Sequence, residues 1–354
     1  MLLRVIASFV MLFLLSTNNN LRASAFSRRF ARSTTSRLFS HSVPKVVVTE
    51  DERIVSDMLH RIRKVNNMPI DIRSSIIPFH VDGIELGKVR PSMVETLIGS
   101  KRNVFELLNG QLTLTRSAGS DASSRTEAVQ SVMLDLRQQG IITGWRDELY
   151  PMSHSFYETP LFLMERAAVS ILGGLEYGVH VNGLVRSCDN DKHVIHMWIA
   201  RRAKTKATYG GMLDHMVAGG QPAGMSLMDN VIKECLEEAG VPEEMTRSGI
   251  KPAGAISYET YEPKKDVISR AVLFCYDLWL PKEFRPTVVD GEVENFVLWN
   301  LDQVKESMAL GFHDPIKPNC YPVIIDYLLR EGHISPDTTG YLDVLRELRS
   351  GSCH

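Results

Sequence analysis

Gly219-Gly220-Gln221-Pro222-Ala223-Gly224-Met225-Ser226-Leu227-Met228-Asp229-Asn230-Val231-Ile232-Lys233-Glu234-Cys235-Leu236-Glu237-Glu238-Ala239-Gly240-Val241 is the stretch on which the reading of this chain turns. It reads as a glycine-rich loop running into one acidic helix. Ser226 is a good N-cap, with Asp229 following in a weak capping box. Gly240 suits the left-handed position after the helix, and Pro242 stops any continuation. Between those ends Leu227, Val231 and Cys235 recur at fourfold spacing and would face a core. Glu234, Glu237 and Glu238 stand at i, i+3 and i+4, which gathers their carboxylates on one helical face.

Carboxylates crowded on one face repel, at a cost of a few tenths of a kcal/mol per pair. A hard divalent cation removes that cost, because Mg²⁺ takes carboxylate oxygens and keeps its other positions for water and substrate phosphate. The glycines at the end of Ala218-Gly219-Gly220 let backbone approach the metal or the phosphates closely. A solvated acidic face would explain the three glutamates alone. The loop and the caps at fixed offsets favour a metal site.

The stretch resembles the Nudix box, whose pattern falls here on Gly219, Met225, Lys233-Glu234, Cys235, Glu237-Glu238, Gly240 and Val241. Two positions depart from it. Met225 stands in place of a glutamate, and Lys233 in place of an arginine, keeping the charge without the planar two-pronged grip. The resemblance implies a Nudix α/β/α sandwich with a mixed sheet and a metal site of Glu234, Glu237, Glu238 and Gly219, taking Mg²⁺ or Mn²⁺. It further implies that Glu237 or Glu238 is the catalytic base.

At 354 residues and a formal net charge of −2, the composition suggests one or two ordinary soluble domains and gives no basic excess for nucleic acid. The five cysteines are scattered without paired spacing, as expected of reduced thiols. Residues 1–40 read as a targeting presequence. Arg4 precedes a short apolar run from Val5 to Leu15, and Ala23-Ser24-Ala25 gives a small-x-small cleavage site before Phe26. The arginine- and serine-rich segment that follows has transit-peptide composition, with no acidic residue before Glu50. It resembles the two-part presequence of algae with complex plastids, so a plastid is expected, with a mitochondrion as the alternative. The apolar run is too short to span a bilayer, and no membrane association is expected once the presequence is gone.

Residues 50–185 read as a smaller α/β domain. Thr49 can cap a first helix, Asp82-Gly83 joins two strands in a hairpin, and Ser124 can cap a helix closed by Gly140. Arg125-Thr126-Glu127-Ala128, the run from Gly144 to Pro151, Glu165-Arg166-Ala167-Ala168 and the run from Tyr177 to Gly183 sharpen the resemblance. They are similar to the domain ahead of the Nudix domain in plant Nudix hydrolases, and in fungal proteins where it precedes thiamine pyrophosphokinase. Trp145 is a candidate for contact with an aromatic substrate, or else packing at a core. Arg146 and Arg166 have Asp147 and Glu165 as neighbours to pair with.

Residues 186–335 read as the Nudix domain, and 336–354 as a tail. Arg202 and Lys206 share strand parity in a basic run and could neutralise a diphosphate, or form a solvated edge. After Asp290-Gly291, Glu292 is expected to swing inward as a further catalytic glutamate, as the resemblance implies for a loop outside the box. The function expected is hydrolysis of a small-molecule diphosphate. The resemblance implies thiamine diphosphate or its damaged oxo and oxy analogues. The alternatives are 8-oxo-dGDP or another nucleoside diphosphate, and a non-catalytic ligand-binding module.

Overall fold

The computed structural model describes residues 48–189, 192–206 and 208–351; the expected presequence lies outside them. The chain enters through α1 (Glu50–Val65), whose Thr49 and Glu52 form a complete capping box. After α2 (Ile70–Ser74) come β1 (Ile77–Val81) and β2 (Ile84–Val89). They are joined as expected through Asp82 and Gly83, both at positive φ. With α3 (Pro91–Ile98), β3 (Phe105–Leu108) and β4 (Gln111–Leu114), they complete a four-stranded sheet in the order β2-β1-β4-β3. α4 (Ala122–Gln138) packs beside it. Its N-cap is Asp121 rather than the expected Ser124, which sits at the third helical position and returns a hydrogen bond. The earlier carboxylate wins because its oxygen reaches two free amides at once. A hairpin of β5 (Leu149–Met152) and β6 (Phe162–Glu165) then leads into a 3₁₀ segment, Arg166–Ile171. Phe79, Leu112, Val132, Met133 and Phe162 share one core.

The second sheet is built from β7 (Leu175–Asp189), β8 (Lys192–Arg202), β9 (Leu213–His215) and β10 (Val217–Gly220). After α5 (Leu227–Ala239) and α6 (Glu243–Gly249), it adds β11 (Ile250–Glu262), β12 (Val267–Leu280) and β13 (Val293–Asn300). The order is β11-β12-β7-β8-β13, with β10 on β7 and β9 on β8. Only β7 and β12 run parallel, so the sheet is mixed. β12 reads as an apolar run because helices cover both faces.

On one face Val179, Val181 and Val217 meet Val231 and Cys235 of α5. On the other, Leu184, Met197 and Ile199 meet Ile324, Ile325 and Leu328 of α8 (Tyr321–Arg330), which follows the short α7 (Leu301–Glu306). The result is an α/β/α sandwich preceded by a smaller α/β unit, the expected fold class.

Three expected boundaries sit differently in the structure. β7 begins before residue 186, and α1 packs through Val55, Met58 and Ile62 on the sandwich rather than on the small sheet. The expected tail contains α9 (Tyr341–Glu347), with Val344 and Leu348 buried in the same core. A short amphipathic helix after a Pro-Asp-Thr-Thr-Gly turn carries too few apolar residues to stand out in the sequence. The small unit is fixed to the β11–β12 hairpin by Lys88 on Glu259 and by Arg90 on Asp266 at 2.9 Å. Gly173 approaches Lys88 so closely that a Cβ there would strike the Lys88 carbonyl.

Candidate active site

α5 forms where the caps expected it. Ser226 Oγ accepts from Asp229 N–H, and Gly240 adopts φ 64° and ψ 25°, with its N–H returned to the last carbonyls. Cys235 is buried against the sheet, which leaves Glu234, Glu237 and Glu238 toward the β10 edge. Glu238 is the deep one, its Oε2 accepting Ala218 N–H at 2.9 Å. Glu234 lies against Gly219: a Cβ there would stand 2.4 Å from the Glu234 carboxyl carbon, so a larger residue in β10 would push Glu234 aside. The Gly219 carbonyl itself lies over Gly178 of β7. Glu237 is half exposed, and Lys233 joins it to Glu234 at 2.8 and 3.1 Å. Lys233 thus does with one ammonium what an arginine would do with a fork.

Burial pushes the Glu238 carboxyl well above the usual range, and the charges of Glu234, Asp214 and Glu292 add to it against the Ala218 amide. Burial raises Glu234 as well, Lys233 opposing and Glu237 and Glu292 adding. Glu292 therefore lies close enough for both α5 glutamates to sense its charge. Burial alone would raise Glu292, but its partner Lys206, with Arg146 and Arg202, brings it below the ordinary value.

The two basic candidates are both engaged. Lys206 pairs with Glu292, and Arg202 donates to Asp214 Oδ2 at 2.6 Å. Asp214 also takes Lys317 at 3.5 Å, and these two cations hold its carboxyl far below the ordinary range although burial opposes them. Trp145 stands apart: its indole N–H donates to Asp147 and Arg137 lies over its ring, while its neighbour Arg146 is the residue whose charge reaches Glu292. Arg166 pairs with Glu148 rather than with Glu165, which instead accepts the backbone amides of Arg146 and Ala167.

Sequence reasoning missed Asp214, Lys317, Tyr150 and Arg166 as site residues. Lys317 and Arg166 belong to segments distant in sequence, and only the fold brings them to one hollow with Ala218 and Gly220. Behind them His180 and His215 share a proton at 2.9 Å between their Nδ1 atoms, and burial holds both neutral. Cys320 donates to Asp214 there.

An all-oxygen set, like charges held together and a carboxyl whose pKa burial raises fit a hard divalent cation. A mixed sheet between helices, with a glutamate helix packed on a close glycine strand, is an arrangement that would hold such an ion. Comparison with known proteins makes the assignment definite. A family model described as "Domain of unknown function (DUF4743)" matches residues 57–175. "Nudix hydrolase 24, chloroplastic" of Arabidopsis thaliana is 38% identical over 301 residues, 84% of this chain and 80% of that protein. "Nudix hydrolase 20, chloroplastic" of the same plant is 38% identical over 308 residues, with the same coverage of each. Among solved structures, the Nudix domain of Shewanella oneidensis NrtR complexed with ADP ribose aligns at 13% identity and TM-score 0.33, over 44% of this chain and 87% of that one. The chain belongs to the Nudix hydrolase family, and it is an enzyme of that family.

Proposed function

We propose that this hydrolase cleaves a small-molecule diphosphate of the thiamine type, thiamine diphosphate or its oxo and oxy analogues, to the monophosphate. The observation that carries the chemistry is the gathering of Glu234, Glu237, Glu238 and Glu292 near one glycine strand, with Glu238 buried and its carboxyl pKa pushed upward by burial. The thiamine choice is supported by the resemblance of the leading unit to the one joined to thiamine pyrophosphokinase in fungi. The chloroplastic names of the two plant relatives support action in a plastid.

Glu234, Glu237 and Glu238 would hold Mg²⁺ or Mn²⁺, with Gly219 giving the room. Such an ion supplies charge neutralisation on the diphosphate and a more acidic water. Glu238 is placed to accept the proton of the attacking water as its oxygen bonds to phosphorus and the anhydride P–O bond breaks. Lys233 keeps Glu234 and Glu237 in line, and Lys206 orients Glu292. Arg202 and Lys206 border the anionic cluster and offset diphosphate charge beside it.

A panel of thiamine diphosphate, its oxo analogue, 8-oxo-dGDP and ADP-ribose, assayed for phosphate or monophosphate release with and without Mg²⁺ or Mn²⁺, tests this reading. Fastest turnover of the thiamine compounds is expected. Faster turnover of 8-oxo-dGDP would replace the substrate. Binding without turnover by wild type and Glu238→Gln alike would leave a ligand-binding module.

A further inference from the structure

The sheet face opposite α5 carries a hollow of about 120 Å³ next to the glycine strand. Its floor is small across register: Gly178 of β7 pairs with Gly220 and its neighbour His180 with Ala218, while Ala271 of β12 faces Glu176. Tyr150, Tyr258, Arg166, Glu176, Lys317 and Asn319 form its walls. A strand crossing at the centre of a sheet normally fills such a face with Val, Ile or Leu. Gly220 makes room for the Tyr150 hydroxyl and the Arg166 guanidinium, Leu273 stands over Gly178, and the hollow lies among these side chains.

The hollow and the glutamate cluster adjoin. Tyr150 senses the charge of Glu234, and Lys317 senses that of Glu238. Gly220 separates them, and a Cβ on it would strike the Tyr150 hydroxyl and the Arg166 guanidinium. The Tyr150 hydroxyl is buried and has no hydrogen-bond partner among the described residues. An unmade bond of that kind costs about 1–3 kcal/mol, a cost a ligand removes by supplying the partner. Arg166 and Glu176 also line a second hollow of about 430 Å³, so the two spaces meet at this pair.

We infer that the smaller hollow holds one planar nitrogen heterocycle of the substrate, and that Glu176 and Tyr150 select it by hydrogen bonds to its polar edge. This rests on the diphosphate-hydrolase reading and deepens it. A space of this size is below the roughly 300–1,000 Å³ of a whole drug-sized site and suits a single ring. The tyrosines offer flat aromatic walls, and an acid beside a guanidinium offers both an acceptor and a donor. Burial, against Arg166, pushes Glu176 up to about 7, so near neutrality it can either give or take a proton at a ring nitrogen. Tyr150 and Arg166 come from the leading unit, which thereby becomes part of the substrate site.

Calorimetry on the full chain with thiamine monophosphate, 8-oxo-dGMP and the ringless glycerol 3-phosphate tests the inference without catalysis. At least one heterocyclic monophosphate should bind tenfold more tightly than glycerol 3-phosphate. Glu176→Gln and Tyr150→Phe should each weaken it about tenfold, with Mn²⁺–pyrophosphate binding unchanged and the melting temperature of the unliganded protein not lowered. Ala271→Leu, which fills the floor, should abolish the preference for a ring. In turnover, Glu176→Gln should raise KM for the heterocyclic diphosphate and leave kcat unchanged. No preference for a ring in wild type, or affinity within twofold in Glu176→Gln, overturns the inference even if hydrolysis persists. Ring binding with no turnover of any diphosphate sinks the hydrolytic reading and leaves the pocket standing.

Discussion

Glu238 is where burial and function pull against each other. Its folded-state pKa lies above the unfolded value, so in the metal-free protein it costs nothing in acid and lowers stability as pH climbs past the unfolded carboxylate value. Glu238→Gln should therefore lose about 10²–10⁴-fold in kcat while the metal-free protein melts about 2 °C or more higher at pH 8. Equal melting at pH 8 would show the carboxyl to be hydrated. A divalent cation must displace that proton, so metal affinity by titration calorimetry should rise from pH 6 to pH 8. Asp214 has the opposite sign: its depressed pKa makes its contribution present above the unfolded carboxylate value and lost only in strong acid. Asp214→Asn strands Arg202 and Lys317 and should cost about 3 kcal/mol in urea unfolding at pH 7. The three box glutamates were legible in sequence because a helix fixes their spacing. Asp214 was not, since its meaning depends on Lys317, more than a hundred residues later.

At the scale of elements, α5 and β10 act as one device. The helix caps were readable because Ser226, Gly240 and Pro242 act on their own neighbours. The reason for Gly219 was only half readable, since its lack of a side chain makes room for Glu234 across a helix–strand contact. Gly219→Ala should displace Glu234, raising the Mg²⁺ concentration for half-maximal activity about tenfold or more while the melting temperature changes by less than about 4 °C. Unchanged metal dependence would mean that Glu234 yields freely. Arg202 and Lys206 were expected to share strand parity, but β8 ends at Arg202 and Lys206 stands in the turn after it, its amide bonded back to the Ala203 carbonyl. Parity shows on which face a strand side chain stands, and their partners Asp214 and Glu292 come from other segments. Trp145 drew notice for its type alone, and type does not fix position.

Over the whole molecule, the fold class was legible and the limits of its parts were not. Periodicity reports each element's buried face and is silent about which neighbour buries it. So α1, first among the described elements, was grouped with the small sheet it precedes, although its apolar face lies in the core of the sandwich. α9 closes the same core, with Arg63 of α1 on Glu347 at 2.7 Å and Glu52 accepting from Thr339. Deleting residues 336–351 uncovers the site of Val344 and Leu348, each worth about 1.5–3 kcal/mol when buried. The truncated chain should melt at least about 5 °C lower by calorimetry. An unaltered melt would show that α9 is not needed by the core. The clasp between first helix and last also sets an order of events. A ribosome releases Glu50 long before Glu347, so the opening helix has no permanent partner until synthesis is almost over.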